Sequence, residues 1–224
     1  MLHYKTFGPL EGPFIGPSDS EIVPRPVLVL LHGWGADGND LSDLAGPLQQ
    51  MIPDLALWCP NAPHPCSANP MGREWFALTQ AFFDNPQSAL SQITQMSDQI
   101  TASLSALCDS LAVVPSDIIL GGFSQGGMMS LQIATSGAFE AAGFASLSGA
   151  LIGKAGLNGG KNAPILLAHG TADEVVPFAA SEQAQDHLQS AGYDVQLISR
   201  PGLGHGIDQE IVQALGQFCH EVTR

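Results

Sequence analysis

Basic residues are scarce in this chain. Its 224 residues include seven Lys and Arg against 21 Asp and Glu, a formal net charge of −14. A nucleic-acid binder needs a basic stripe to displace counterions from phosphates, so that class is excluded, as is electrostatic docking on anionic lipid. Charged residues of both signs make up only 12% of the chain, whereas hydrophobic residues make up 45%. A sequence this apolar, without charge blocks, folds around a core rather than staying disordered. Long apolar runs are missing too: none exceeds five residues, as in Val27–Leu31, far short of the ~18 that a membrane span requires. Stable membrane insertion is therefore not expected. No apolar stretch follows Met1-Leu2-His3-Tyr4-Lys5, so no secretory leader is expected. The chain has no CxxC, no HExxH, no internal repeat and no low-complexity tract, which leaves no reason to expect a metal or a cofactor. Cys59, Cys66, Cys108 and Cys219 read as reduced, structural thiols of a cytoplasmic protein. Spacing alone would also allow a Cys59–Cys66 disulfide. A homodimer is compatible with this composition.

What is present is a regular alternation, read here as one domain over residues 1–224. Residues 1–26 are rich in Gly-Pro pairs and form a loose entry, with edge strands expected at Tyr4–Phe7 and Phe14–Ile15. Val27–Leu31 is apolar throughout, as in a strand buried on both faces. Further strands are expected at Leu55–Cys59, Ile118–Phe123, Gly143–Leu147, Ile165–His169 and Val195–Ser199. Helices are expected at Asp40–Met51, Ala89–Leu111, Ser124–Thr135, Phe178–Ala191 and Ile207–Val222, with Pro115 closing the second. Pro60 to Asn85 reads as a long irregular stretch. Buried strands alternating with amphipathic helices imply an α/β fold, a mostly parallel sheet with helices on both faces. Ligands in such sheets bind at the carboxyl ends of the strands, so the loops after Leu31, Cys59, Phe123, His169 and Ser199 carry the interest.

The loop after Phe123 reads Gly121-Gly122-Phe123-Ser124-Gln125-Gly126-Gly127. It contains G-x-S-x-G between a strand and a helix, the context in which a serine is thrust from the sheet edge on a strained backbone. A serine hydroxyl needs a base, and seven histidines are available. His3 is terminal, His64 lies in the proline-rich loop, and His187 and His220 sit in helices and read as solvated. His169 ends a strand and reads as structural. His205, in Gly202-Leu203-Gly204-His205-Gly206 after a strand, is the best placed. Asp173 follows another strand and would orient the imidazole, while its neighbour Glu174 is expected to face water. The order Ser124, Asp173, His205 is that of α/β-hydrolases rather than chymotrypsin or subtilisin. An oxyanion would be held by the backbone N–H of Gln125 and of Trp34, the latter in the glycine-rich loop Gly33–Gly38. For His32 the reading is a hydrogen-bonding brace of that loop.

Four segments together, Leu30-Leu31-His32-Gly33-Trp34-Gly35-Ala36-Asp37-Gly38, Gly122-Phe123-Ser124-Gln125-Gly126-Gly127, His169-Gly170-Thr171-Ala172-Asp173-Glu174-Val175-Val176-Pro177 and Gly204-His205, resemble the carboxylesterase/phospholipase family that includes the acyl-protein thioesterases. The resemblance covers the chain from about Val27. It implies a small α/β-hydrolase without a cap domain, with Ser124, Asp173 and His205 as catalytic triad and oxyanion donors at Trp34 and Gln125. A leucine is frequent in the family at position 34. Tryptophan leaves a backbone donor intact but bears on the shape of the acyl pocket.

The expected activity is that of a serine carboxylesterase acting on a small-molecule ester. Acyl-protein thioesterase and lysophospholipase are alternatives, and a non-catalytic ligand-binding relative is a minor one. Trp75, Phe76, Met128 and Leu203 are candidates to line an acyl groove, with plain core packing as their alternative role. The stretch between Leu147 and Ile165 is too short for a helical lid, so an open cleft is expected. The acidic balance disfavours a polyanionic acyl-CoA relative to neutral esters or thioesters.

Overall fold

The structure, a computed structural model, describes residues 3–17, 19, 21–152 and 163–223. Two short strands, β1 (His3–Phe7) and β2 (Leu10–Ile15), form an antiparallel hairpin at one edge of the sheet. Strand β3 (Val27–Leu31) follows, then helices α1 (Asn39–Ser42) and α2 (Ala45–Met51), and strand β4 (Ala56–Trp58). The single helix expected over Asp40–Met51 is two. Pro47 has no N–H to donate to residue 43, and its ring would press on that carbonyl, so a continuous helix cannot pass through it. As the third residue of a new helix, Pro47 is tolerated.

The stretch from Pro60 to Asn85 has more order than its prolines suggest. It contains a small antiparallel pair, β5 (His64–Pro65) with β6 (Arg73–Glu74), and helix α3 (Gln80–Asp84), capped by the Thr79 side chain. Helix α4 (Leu90–Leu111) buries Ile93, Met96, Ile100, Leu104 and Leu107 along one stripe. It ends where Ala112 turns left-handed, at φ 53°, ahead of Pro115 rather than at it. Strand β7 (Ile118–Phe123), helix α5 (Gln125–Ser136), β8 (Gly143–Leu147), β9 (Ile165–Gly170), α6 (Ala179–Ser190), β10 (Val195–Arg200) and α7 (Gln209–Val222) complete the alternation. The expected lidless connection between β8 and β9 falls largely on residues 153–162, outside the described residues.

The eight main strands lie in the order β1-β2-β4-β3-β7-β8-β9-β10. β2 meets β4 antiparallel, and the pairs from β4 to β10 are parallel. Alternation along β3 explains the double layer. Val27, Val29 and Leu31 point into one apolar cluster with residues of α4, α5 and α6. Leu28 and Leu30 point into a second cluster with α2 and α7. A period of two puts successive side chains on opposite faces, so an all-apolar strand requires cover on both. The chain leaves β3 towards β4 on one side and reaches β7 on the other, which opens a crevice at their carboxyl ends. The architecture is the expected α/β-hydrolase-like arrangement, a mostly parallel sheet with helices on both faces.

Candidate active site

Ser124 stands at the corner between β7 and α5 with φ 53° and ψ −115°, a backbone conformation that L-residues rarely adopt. Its own N–H donates to the Leu147 carbonyl at 2.8 Å, which ties the corner to β8. A side chain at 122 would strike the backbone of Gly126, and one at 126 would strike the Leu31 carbonyl. Both glycines are therefore demanded by close approach, as the motif implies. The first N–H groups of α5, that of Gln125 foremost, have no partner within the helix and carry the positive end of its dipole.

The loop after β3 lies directly against this corner. A methyl group added at Gly33 would sit 3.4 Å from the Ser124 Cβ. Trp34, next in the chain, is held by its indole, whose Nε1–H donates to Glu74 Oε2 at 2.7 Å. The same carboxylate oxygen takes the N–H and hydroxyl of Ser67, both at 3.3 Å. Gly35 N–H donates to the Arg73 carbonyl at 2.9 Å, and Arg73 N–H to the Ala36 carbonyl at 2.8 Å. The loop after β3 is thus tied to β6 by a reciprocal pair of backbone bonds at Arg73 and by the indole at Glu74.

His32 and the side chain of Gln125 brace the same region from beneath. His32 Nδ1 lies 2.8 Å from the Gly33 carbonyl, and Nε2 lies 3.0 Å from the Ala62 N–H. A carbonyl only accepts and an amide N–H only donates, so Nδ1 carries the proton and the ring is neutral. Burial pushes its pKa down to about 4, against the opposing pull of the Gly33 carbonyl and Asp37. The Gln125 side chain is buried as well. It accepts from Trp75 N–H at 2.9 Å and donates to the Phe76 carbonyl at 2.7 Å.

At the other side of the crevice the loops after β9 and β10 are knitted together. Thr171 N–H donates to the Arg200 carbonyl and Ala172 N–H to the Leu203 carbonyl, both at 2.9 Å. This brings Asp173 to His205, with Nδ1 2.7 Å from Oδ2. Asp173 Oδ1 accepts from the N–H groups of Val175 and Val176, each at 2.9 Å. Burial pushes the Asp173 carboxyl up, but the bonds from His205, Val176 and Val175 outweigh it and leave the group below its usual range. Since the carboxylate accepts, Nδ1 of His205 carries a proton. The Phe123 ring packs on this imidazole at 4.8 Å between centroids. Glu174 is exposed, as expected.

Ser124 and His205 line one cavity of about 310 Å³, together with Trp34, Asp40, Leu41 and Phe123. Trp75, Phe76, Met128 and Leu203 do not line it. Trp75 and Phe76 are wholly buried in the core, Met128 packs in the same cluster, and Leu203 packs against the second. Asp40, Leu41 and Glu74 escaped the sequence reading. Asp40 and Leu41 follow the glycine-rich loop closely enough to have been found there; Glu74 is 40 residues from Trp34 and had no local signal. All four cysteines are free and buried. Burial pushes the Cys219 thiol up to about 12 and that of Cys59 up as well, so neither competes as a nucleophile. Among the described residues no cluster of His, Cys, Asp and Glu could hold a metal ion, and no helix is long and apolar enough to cross a membrane.

The model of the phospholipase/carboxylesterase family matches residues 17–223. The chain belongs to that family. An acyl-protein thioesterase 1 of Neurospora crassa is 29% identical over 217 residues, covering 87% of this chain and 85% of its own. A probable carboxylesterase of Oryza sativa subsp. japonica is 27% identical, with 85% and 75% covered. Among solved structures, esterase PE8 superposes with a TM-score of 0.86 at 33% identity, covering 95% of this chain and 99% of its own. This member of the phospholipase/carboxylesterase family is accordingly a hydrolase of the carboxylesterase and thioesterase kind.

Proposed function

We propose that the protein is a serine carboxylesterase working through an acyl-enzyme. In this reading His205 Nε2 takes the Ser124 proton as Oγ attacks the acyl carbonyl. The N–H groups of Trp34 and Gln125 hold the oxyanion, each worth about 2.7–4 kcal/mol of barrier. His205 then passes the proton to the departing alcohol. Water repeats the sequence on the acyl-enzyme and releases the acid. The observation that carries this reading is the strained Ser124, sharing one cavity with an imidazole that is fixed by Asp173. Free cysteines throughout support a reducing, cytoplasmic setting.

Ser124→Ala is expected to lower ester turnover by on the order of 10⁶-fold with an unchanged unfolding midpoint. Hydrolysis of p-nitrophenyl acetate near the wild-type rate would refute the assignment. A second reading, an acyl-protein thioesterase, is supported by relatives of that name covering most of the chain. Rates on p-nitrophenyl esters of increasing chain length, on acyl thioesters and on lysophospholipids separate the two.

A further inference from the structure

We propose that His169 is a positioning residue for the triad, a second imidazole that pins the Asp173 carboxylate while His205 works on it. The inference rests on the acyl-enzyme reading above. His169 lies on β9, wholly buried, four residues before Asp173. Its Nε2 is 2.8 Å from the Val176 carbonyl and 3.1 Å from Asp173 Oδ2. Its Nδ1 is 2.7 Å from the hydroxyl of Ser181, which is itself buried on α6. The carbonyl of Val176 can only accept, so Nε2 carries a proton, and the serine hydroxyl satisfies Nδ1. That proton is directed at the Val176 carbonyl, and the same nitrogen lies against the carboxylate oxygen that His205 uses.

A carboxylate oxygen has two lone-pair sites. Oδ2 takes the His205 bond at 2.7 Å and abuts His169 Nε2 at 3.1 Å, while Oδ1 is occupied by two backbone N–H groups. The carboxylate therefore cannot swing, and the direction of the His205 ring is set by a group that never reaches substrate. The polar N–H edge of His169 beside Oδ2 also tempers that oxygen's basicity. Removing it makes Asp173 a stronger acceptor for His205 and favours the protonated ring. The groups facing this pair are His169 from β9, the Ser181 hydroxyl from α6, the Phe123 ring from β7 and, across the cavity, Asp40 from α1. Arg200, at the end of β10, is engaged by Asp208 and Glu210.

The test compares His169→Gln, whose amide N–H reaches the place of Nε2, with His169→Asn and His169→Leu, which have no donor there. With a neutral p-nitrophenyl ester, Asn and Leu are expected to lose about 10²-fold in kcat with KM within about twofold. Their acid limb of kcat/KM moves to higher pH, and the low-field NMR resonance of the His205 Nδ1 proton shifts. Gln restores all three. Ser181→Ala, a smaller change that spares the ring, is expected to move the acid limb the same way by less, which keeps the idea testable should the His169 variants unfold. If Gln, Asn and Leu behave alike, or the acid limb stays put in Asn and in Ser181→Ala, the inference falls. Failure of a fluorophosphonate to label Ser124 in the wild-type protein would instead bring down the underlying acyl-enzyme reading.

Discussion

Three of the seven histidines are tied to the edge of the sheet that carries Ser124, and their surroundings give them different chemistry. His32 is sealed under the loop after β3 and held neutral by one acceptor and one donor. An unfolded chain's imidazole takes up a proton as pH falls through about 6.5, whereas the folded His32 refuses it until about 4. Stability is thus highest above that window and falls across it, by about 3 kcal/mol for this group. Denaturant unfolding between pH 7.5 and 4 is expected to show that slope, and His32→Gln to flatten it at a lower plateau. An equally steep slope in the variant would assign the acid sensitivity to other groups. Ser124 and His205 were legible as residues because a glycine-flanked corner and a glycine-rich turn mark them locally. His169 was read as structural; its contact with Asp173 depends on how Val175-Val176 folds back on β9, and no pattern along the chain announces that.

At the scale of elements, the loop after β3 and the hairpin of β5 with β6 form one unit. The Trp34 indole bonded to a buried Glu74 braces the cavity wall, whereas the backbone N–H of Trp34 is the oxyanion donor of the reading proposed above. Trp34→Leu keeps that N–H, so kcat on a short ester is expected to stay within about tenfold, while the order of preference among acyl lengths changes. Glu74→Leu leaves the indole and both Ser67 donors unmatched, and is expected to destabilise the fold by about 1–3 kcal/mol. A chain-length series and denaturant midpoints check both. An unaltered length preference in Trp34→Leu would mean that the indole is not a substrate wall. Strands β3, β7 and β8 lie where the apolar runs put them, since a run buried on both faces has one reading. The segment from Pro60 to Asn85 was opaque because its order comes from partners far along the chain, such as Gln125 for Trp75 and Phe76.

Over the whole molecule, a charge of −14 surrounds a cavity that has Asp40 in its wall. Burial and the neighbouring Asp37 both push the Asp40 carboxyl up. A polyanionic acyl-CoA approaches such a surface against repulsion that extends ~30 Å at 0.01 M salt and ~8 Å at 0.15 M. Its kcat/KM is expected to rise several-fold across that range, while a neutral ester changes by less than about twofold. A fall in acyl-CoA turnover with added salt would overturn the electrostatic argument.

The sequence by itself determined the layered α/β fold and the three loops that carry Ser124, Asp173 and His205, because strand burial, helical stripes and glycine-bounded corners are local patterns. The tertiary structure alone decided which side chains wall the cavity and which merely fill the core. Trp75 and Phe76 went to the core, and Trp34, Asp40 and Leu41 to the cavity. Those outcomes depend on hydrogen bonds and close contacts between segments tens of residues apart, and hydrophobicity, which an acyl groove and a packed interior share, does not distinguish them.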